Sequence, residues 1–177
     1  MGITARTVLH GIDESGLSSK KPANPNHASL FWQEDVLHHE VYDQGLGKWL
    51  PVEFLRFKYD VSGGDSGATG TKTLTALPAG IIILDGIIDV ITTFTSANDS
   101  ATIALKAKST GDLVSAIAIS DSSNPWDAGL HAIVPDGTVT NAIKIATDGN
   151  IVLTVGTQAV TAGKLYGFLR FVRSLTT

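Results

Sequence analysis

One stretch limits the choice of fold more than any other, the run from Ile81 to Phe94 that reads Ile-Ile-Ile-Leu-Asp-Gly-Ile-Ile-Asp-Val-Ile-Thr-Thr-Phe. Its β-branched residues favour an extended backbone, and successive side chains of a strand point to opposite faces. With that period, one face carries Ile82, Leu84, Gly86, Ile88, Val90, Thr92 and Phe94, which the pattern assigns to a core. The other carries Ile81, Ile83, Ile87 and Ile91, broken by Asp85 and Asp89. A sheet with one wet face has no reason to place four isoleucines there. Either a second layer of the same chain covers them or another subunit does, which makes Ile81, Ile83, Ile87 and Ile91 a candidate oligomer interface. Gly86 marks a bulge or a point of close packing. Lys164–Val172 repeats the two-faced pattern, with Leu165, Leu169 and Phe171 against Tyr166, Phe168 and Val172.

The rest of the chain from Tyr59 agrees with this. A Gly-rich loop at Ser62–Gly70 leads to a strand at Thr71–Leu77 and then to the Pro78-Ala79-Gly80 turn. Further strands are predicted at Ala101–Ala107, around Leu130–Val134, and at Ala142–Thr147, Ile151–Val155 and Lys164–Val172. Asp148-Gly149-Asn150 is the strongest hairpin signal, because Gly and Asn accept positive φ. Asp112–Ala116 reads as a short helix. Short strands with frequent turn signals predict an all-β fold, an antiparallel β-sandwich or barrel of jelly-roll-like type.

Composition shifts near residue 58. Residues 1–58 hold four of the five histidines and two of the three tryptophans, whereas 59–177 are rich in Ile, Val, Ala, Thr and Gly. The first part is expected to be an extended N-terminal arm with a small β-meander, the second a sandwich or barrel body. Residues 2–28 read as the arm, since Gly11, Ser15, Gly16, Ser18, Ser19, Pro22 and Pro25 interrupt any period. It either orders against a partner or is a disordered leader. Beyond it, Ser29–Glu34, Val41–Asp43 and Gly45–Val52 read as short strands joined by Gly and Asp turns, with Leu30, Trp32, Val41, Trp49 and Phe54 as their apolar cluster. Glu34–Glu40 is a loop or one helical turn.

The chain of 177 residues is long enough to bury a core unaided, and it has no cysteine, which excludes disulfides and thiolate metal sites. No run reaches the roughly 18 apolar residues of a membrane-spanning helix. Thr4, Arg6 and His10 near the start leave no apolar segment for a signal peptide. A net charge of −4, with basic pairs only at Lys20–Lys21 and the spaced Arg170 and Arg173, argues against a nucleic-acid surface.

Motifs for chemistry are equally sparse. Gly64-Asp65-Ser66-Gly67 matches the serine segment of one protease class, but only 65 residues precede Ser66 and none of His10, His27 or His38 sits in a matching segment. His38-His39-Glu40, near Glu34 and Asp35, lacks the spacing that turns two imidazoles toward one ion. His131 stands alone in an apolar stretch and reads as a packed residue. Asp60 with Asp65, and Asp121 with Asp127, suit turns better than calcium loops. There is no P-loop, dinucleotide fingerprint or HExxH. No catalytic residue, cofactor or metal site is predicted.

Leu77-Pro78-Ala79-Gly80 followed by the long strand, then Ser100–Leu105, then Leu153-Thr154-Val155-Gly156 and Val160-Thr161-Ala162-Gly163-Lys164, resembles a pattern of phage virion structural proteins. In that pattern the last two segments close a hairpin; read locally, Gly163 supplies a turn residue and Lys164 caps a strand start. Phe31-Trp32, Val41-Tyr42-Asp43 and Trp49-Leu50-Pro51 are similar to short units of virion display proteins. Residues 1–28 and the Ser120–Gly129 loop have no counterpart. The resemblance implies a capsid decoration (cement) protein of the outer capsid surface, assembled in the host cytoplasm. It would be a homotrimer whose partner is the major capsid protein, with neither nucleic acid nor membrane as partner. Ile3, Arg6, Val8, Lys20 and Lys21 are then candidates for a capsid-contacting arm. The alternative is a receptor-binding or fibre and tail-associated protein, anchored on Trp126 or Tyr166. An enzyme would need a convergent acid–base pair, and none assembles.

Overall fold

A computed structural model describes residues 14–16, 30–33, 38–43, 47–109, 111–135 and 142–174. Among the described residues there are twelve strands and no α-helix. The fold is all-β, as the alternation predicted. Two compact units meet between Glu53 and Phe54, so the compositional shift at residue 58 falls inside a strand.

In the first unit, β1 (Glu14–Gly16) runs parallel to β2 (Leu30–Gln33). β2 pairs antiparallel with β3 (His38–Asp43), which pairs with the start of β4 (Lys48–Asp60). His38–Glu40, expected in a loop or helical turn, thus belong to a strand. Tyr42 and Trp49 are cross-strand partners with ring centroids 5.4 Å apart, a contact that favours this register. Leu50 and Val52 are buried. Phe54, expected in the same cluster, is instead 59% exposed and belongs to the second unit. Leu30, Trp32 and Val41 lie outside the described side chains, and the arm residues Ile3, Arg6, Val8, Lys20 and Lys21 lie outside the described residues.

The second unit is a two-layer sandwich. Its smaller sheet has the order β5 (Gly70–Leu77), β11 (Gly149–Gly156), β7 (Thr102–Lys106), β8 (Val114–Ala118). Its larger sheet places β12 (Val160–Arg173) between β4 and β6 (Ile81–Ser96). The far edge of β6 is shared by β9 (Gly129–Ile133) and β10 (Ile143–Ile145), paired with different parts of it. Between the sheets lie Ile103, Leu105, Ile151 and Leu153 from one side and Ile83, Ile88, Leu165 and Leu169 from the other, all fully buried. Tyr59 stacks on Phe94 at 5.9 Å, and Phe94 meets Trp126 edge-on at 5.8 Å. Burial of the Tyr59 phenol, with Asp65 nearby, pushes its pKa up to about 12.

The four-isoleucine face requires a correction. Ile81 and Ile83 are fully buried in the core, whereas Ile87 and Ile91 are exposed. The cause is a bulge. On β12, Arg170 pairs with Asp85 but the next residue, Phe171, pairs with Ile83, which leaves Leu84 as an extra residue on β6. Leu84 and Asp85 both turn outward there, so odd positions face the core before the bulge and even positions after it. Gly86 is the close-packing point beside it. A Cβ there would stand 2.5 Å from the Phe168 carbonyl oxygen and 2.6 Å from a Leu169 methyl.

Two turn readings and one helix are corrected as well. Asp148-Gly149-Asn150 makes no hairpin, because β10 pairs in the large sheet and β11 in the small one. The segment carries the chain between layers, and Asp148 Oδ1 accepts the Ala79 N–H at 2.8 Å to tie it to the β5–β6 crossing. β11 and β12 likewise lie in different sheets, and Gly163 sits inside β12 rather than in a turn. Its φ of 147° fits a glycine, and a Cβ there would stand 2.3 Å from the Phe94 ring. Finally, Asp112–Ala116 is not helical: Val114 starts β8, pairing with Leu105 across the sheet.

Candidate interaction surface

The outer face of the large sheet is assembled by register. Directly paired residues of antiparallel strands point to the same side. Ile87 pairs with Phe168 on β12 and with Ala132 on β9, and Asp89 pairs with Tyr166 and with Leu130. On β4, Phe57 and Tyr59 are buried, so Phe54, Arg56 and Lys58 point outward. The Arg56 guanidinium lies over the Phe168 ring, 5.6 Å from its centroid. Among the described residues, every large apolar side chain that stands exposed belongs to this sheet: Phe54, Ile87, Ile91, Leu130, Tyr166 and Phe168. Their exposures run from 37% at Phe168 to 74% at Leu130. Scattered exposed apolar residues need no explanation, but confinement to one face of one sheet does.

Charged groups frame the apolar strip. Arg170 holds Asp85 through two hydrogen bonds, one from Nε at 2.7 Å and one from Nη2. Lys164 Nζ lies 2.9 Å from Asp60 Oδ2 and 5.8 Å from the Tyr166 centroid. The Lys164 ammonium, with hydrogen bonds from Ser62 Oγ and the Gly63 N–H, holds the Asp60 carboxyl down at about 2, and Asp60 in turn raises Lys164. A cavity of about 360 Å³ is lined by Arg56, Phe57, Lys58, Leu74, Tyr166, Gly167 and Phe168.

Of the residues singled out in the sequence, Ile87, Ile91 and Tyr166 come together on this face. Trp126 does not. It is fully buried against Phe94, which removes it as a recognition anchor. The loop around it is closed by Asn124, whose Oδ1 accepts the Trp126 N–H at 2.8 Å and whose Nδ2 donates to the Ile119 carbonyl at 3.0 Å. Phe54, Arg56, Lys58, Asp89 and Leu130 were missed. The Phe54-Leu-Arg-Phe-Lys-Tyr59 alternation carried the signal for the first three, obscured by assigning Phe54 to the meander.

The other motifs resolve into turn chemistry. Ser66 Oγ accepts the Ala68 N–H at 3.4 Å and its carbonyl accepts the Tyr59 hydroxyl at 2.8 Å. Asp121 accepts the Ser123 N–H and hydroxyl, and those bonds lower its pKa. His131 is half-buried with Nε2 2.8 Å from the Asp127 carbonyl oxygen. Among the described residues, no three His, Asp or Glu side chains converge as metal ligands would.

No protein-family model and no curated protein matches the chain. Among solved structures, it is similar to a chain of the cyanophage Pam1 capsid asymmetric unit, with 15% identity, a TM-score of 0.50, and coverage of 69% of this chain and 84% of that one. Similar chains also occur in the acid-stable capsid of Helicobacter pylori bacteriophage KHP30 and the capsid of Ralstonia phage GP4. These two have identities of 9% and 17% and TM-scores of 0.48 and 0.47, covering 68% and 71% of this chain and 86% of each of theirs. The likeness to the Pam1 chain shows a shared fold.

Proposed function

We propose that this chain is a non-enzymatic structural protein of a phage virion, a decoration (cement) protein that binds the outer surface of the head as a homotrimer and stabilises the shell. The observation that carries the reading is the apolar outer face of the large sheet, backed by a sandwich with a buried apolar core. Such a face gains free energy when another protein surface covers it, at about 25 cal/mol per Å² of apolar area removed from water. A standard interface of about 800 Å² per partner is enough for stable association. A protein that binds only the assembled shell raises the free energy of taking it apart, by linkage. The fold shared with a chain of a phage capsid asymmetric unit supports the virion setting.

The test is uptake onto undecorated heads. Purified protein should bind them saturably and raise the temperature at which the particles release DNA. Heads that take up no protein, or that release DNA at an unchanged temperature when saturated, overturn the reading. A second reading, a receptor-binding or fibre and tail-associated module, is favoured by Tyr166 and Phe168 standing exposed beside Arg56. Glycan-array binding that is lost in Tyr166→Ala would establish it instead.

A further inference from the structure

We infer that the open edge of β4 receives an extended segment of another protein as an added strand, and that this segment alternates acidic with apolar residues. The partner so described goes beyond the proposed function, which names neither a receiving strand nor a sequence for what binds there.

Backbone hydrogen bonds show which way β4 faces. The Val61 N–H donates to the Gly163 carbonyl on β12 at 3.0 Å, whereas the Asp60 N–H turns the other way and donates to Asp65 Oδ2 at 2.7 Å. Successive residues of a strand alternate in this direction, so the N–H and C=O groups of Phe54, Arg56 and Lys58 also point away from β12. The pairs of β3 with β4 end at Pro51, short of these groups. Among the described residues, 54–60 thus form a sheet edge, closed by Asp65 only at its Asp60 end.

The other edges of the sandwich are blunted. On β5, Thr73 and Thr75 pair with the consecutive Val152 and Ile151, which leaves Leu74 as a bulge. On β8, Val114 and Ile117 pair with Leu105 and Ile103, so that Ser115 and Ala116 stand opposite Ala104 alone. β9 and β10 have only five and three residues. Bulges and short strands are the usual guards against strand addition. Residues 54–60 carry no such break: Phe54, Arg56 and Lys58 are exposed in alternation with buried Phe57 and Tyr59. A regular edge of this kind is a template for an extended segment.

Side chains define the segment. Lys164 and Arg170 are matched by Asp60 and Asp85, but neither Arg56 nor Lys58 takes part in an ion pair among the described residues. Residues paired directly with these two cations would point to the same outer side, with Cβ atoms about 5 Å away, and opposite charges there are stabilising. The residue between them would point inward, where Phe57 and the bulged Leu74 help to line the cavity of about 360 Å³. Acidic, apolar, acidic is therefore the complementary order. The β4 of a second copy, laid antiparallel along the full edge, would set Arg56 and Lys58 against the same cations, which repels it.

The probe is a short synthetic peptide that alternates Glu and Val, added to the full chain. Amide hydrogen exchange, resolved by NMR, should slow at Phe54, Arg56 and Lys58 when it binds. The same peptide with Lys in place of Glu should bind at least about tenfold more weakly, and the acidic peptide with its amides N-methylated should not bind. Lys58→Pro removes an edge donor without removing a bond to β12, so this variant should fold, by circular dichroism, and lose the peptide. The variant carrying both Arg56→Glu and Lys58→Glu should prefer the basic peptide. An acidic peptide that does not bind, equal affinity for both peptides, binding that survives N-methylation, or exchange slowed away from this edge each overturn the inference. So does slow exchange at Phe54, Arg56 and Lys58 in the chain alone: if it grows with concentration a second copy holds the edge, and if it persists on dilution the same chain does. Head uptake is scored separately. A chain that binds heads and ignores the acidic peptide loses this inference alone, and one that takes the peptide but ignores heads loses only the cement reading.

Discussion

The buried Asp112 carboxylate accepts three main-chain N–H groups, from Ala107 at 2.7 Å, Lys108 at 2.8 Å and Ser109 at 2.7 Å. Those donors belong to the turn between β7 and β8, where no strand partner is available, and one ionised acceptor satisfies them all. Asp112→Ala leaves them unpaired and is expected to cost roughly 3 kcal/mol, since bonds to a charged acceptor and buried orphan donors both contribute. The measurement is urea unfolding, with a lower midpoint at an unchanged slope. Asp112→Asn keeps one acceptor oxygen and should fall between the two. An alanine variant as stable as the parent would mean that water replaces the carboxylate. The same residue explains why a helix was expected here: an aspartate ahead of Leu-Val-Ser-Ala looks like an N-cap. Nothing local distinguishes a carboxylate that caps a helix from one that closes a turn.

The strand β6 shows where local reading stops working as an element is assembled. Its existence was legible in its β-branched residues, and so were β5, β7, β9, β11 and β12. The face assignment was not, because it depends on Leu84 being supernumerary, and that count is set by β12, whose paired residues lie far along the chain. Turn chemistry has the same limit. Asp148-Gly149-Asn150 has hairpin residues, but whether two strands pair or pass into different layers is decided by the sheets they join. Exposed Tyr166 was recognised and buried Trp126 was not, since an aromatic in a polar loop reads the same whether it points out or in. The bulge has a direct consequence. Deleting Leu84 removes the extra residue and leaves both halves of β6 in phase with the core, because Ile83 and Asp85 already pair with the consecutive Phe171 and Arg170. The Leu84 deletion should therefore fold, whereas deleting Ile87 shifts one half against the other, exposing Ile88 or burying Asp85, and is expected to abolish the folded state. Solubility and circular dichroism read the difference, and an Ile87 deletion that unfolds at the parent temperature would reject the register.

At the scale of the molecule, the two faces of the large sheet answer to different forces, and adjacent residues separate them. Ile88 is fully buried between the sheets and Ile87, its neighbour, is 49% exposed on the outer face. Ile88→Ala leaves a cavity that a close-packed sandwich cannot collapse, at an expected cost of about 2–5 kcal/mol whatever the protein concentration. Ile87→Ser removes a side chain that the isolated subunit leaves in water, so dilute protein should unfold within about 0.5 kcal/mol of the parent. Concentration then discriminates. If copies cover this face, the parent unfolds at higher temperature as concentration rises, because association withdraws folded subunits from the equilibrium. Ile87→Ser should flatten that dependence and leave the dilute limit in place, while Ile88→Ala should lower the whole curve. Scanning calorimetry over a wide concentration range reads both. A parent curve that ignores concentration would mean the apolar strip awaits a different protein, and the shell of the head would then be the surface to test against it.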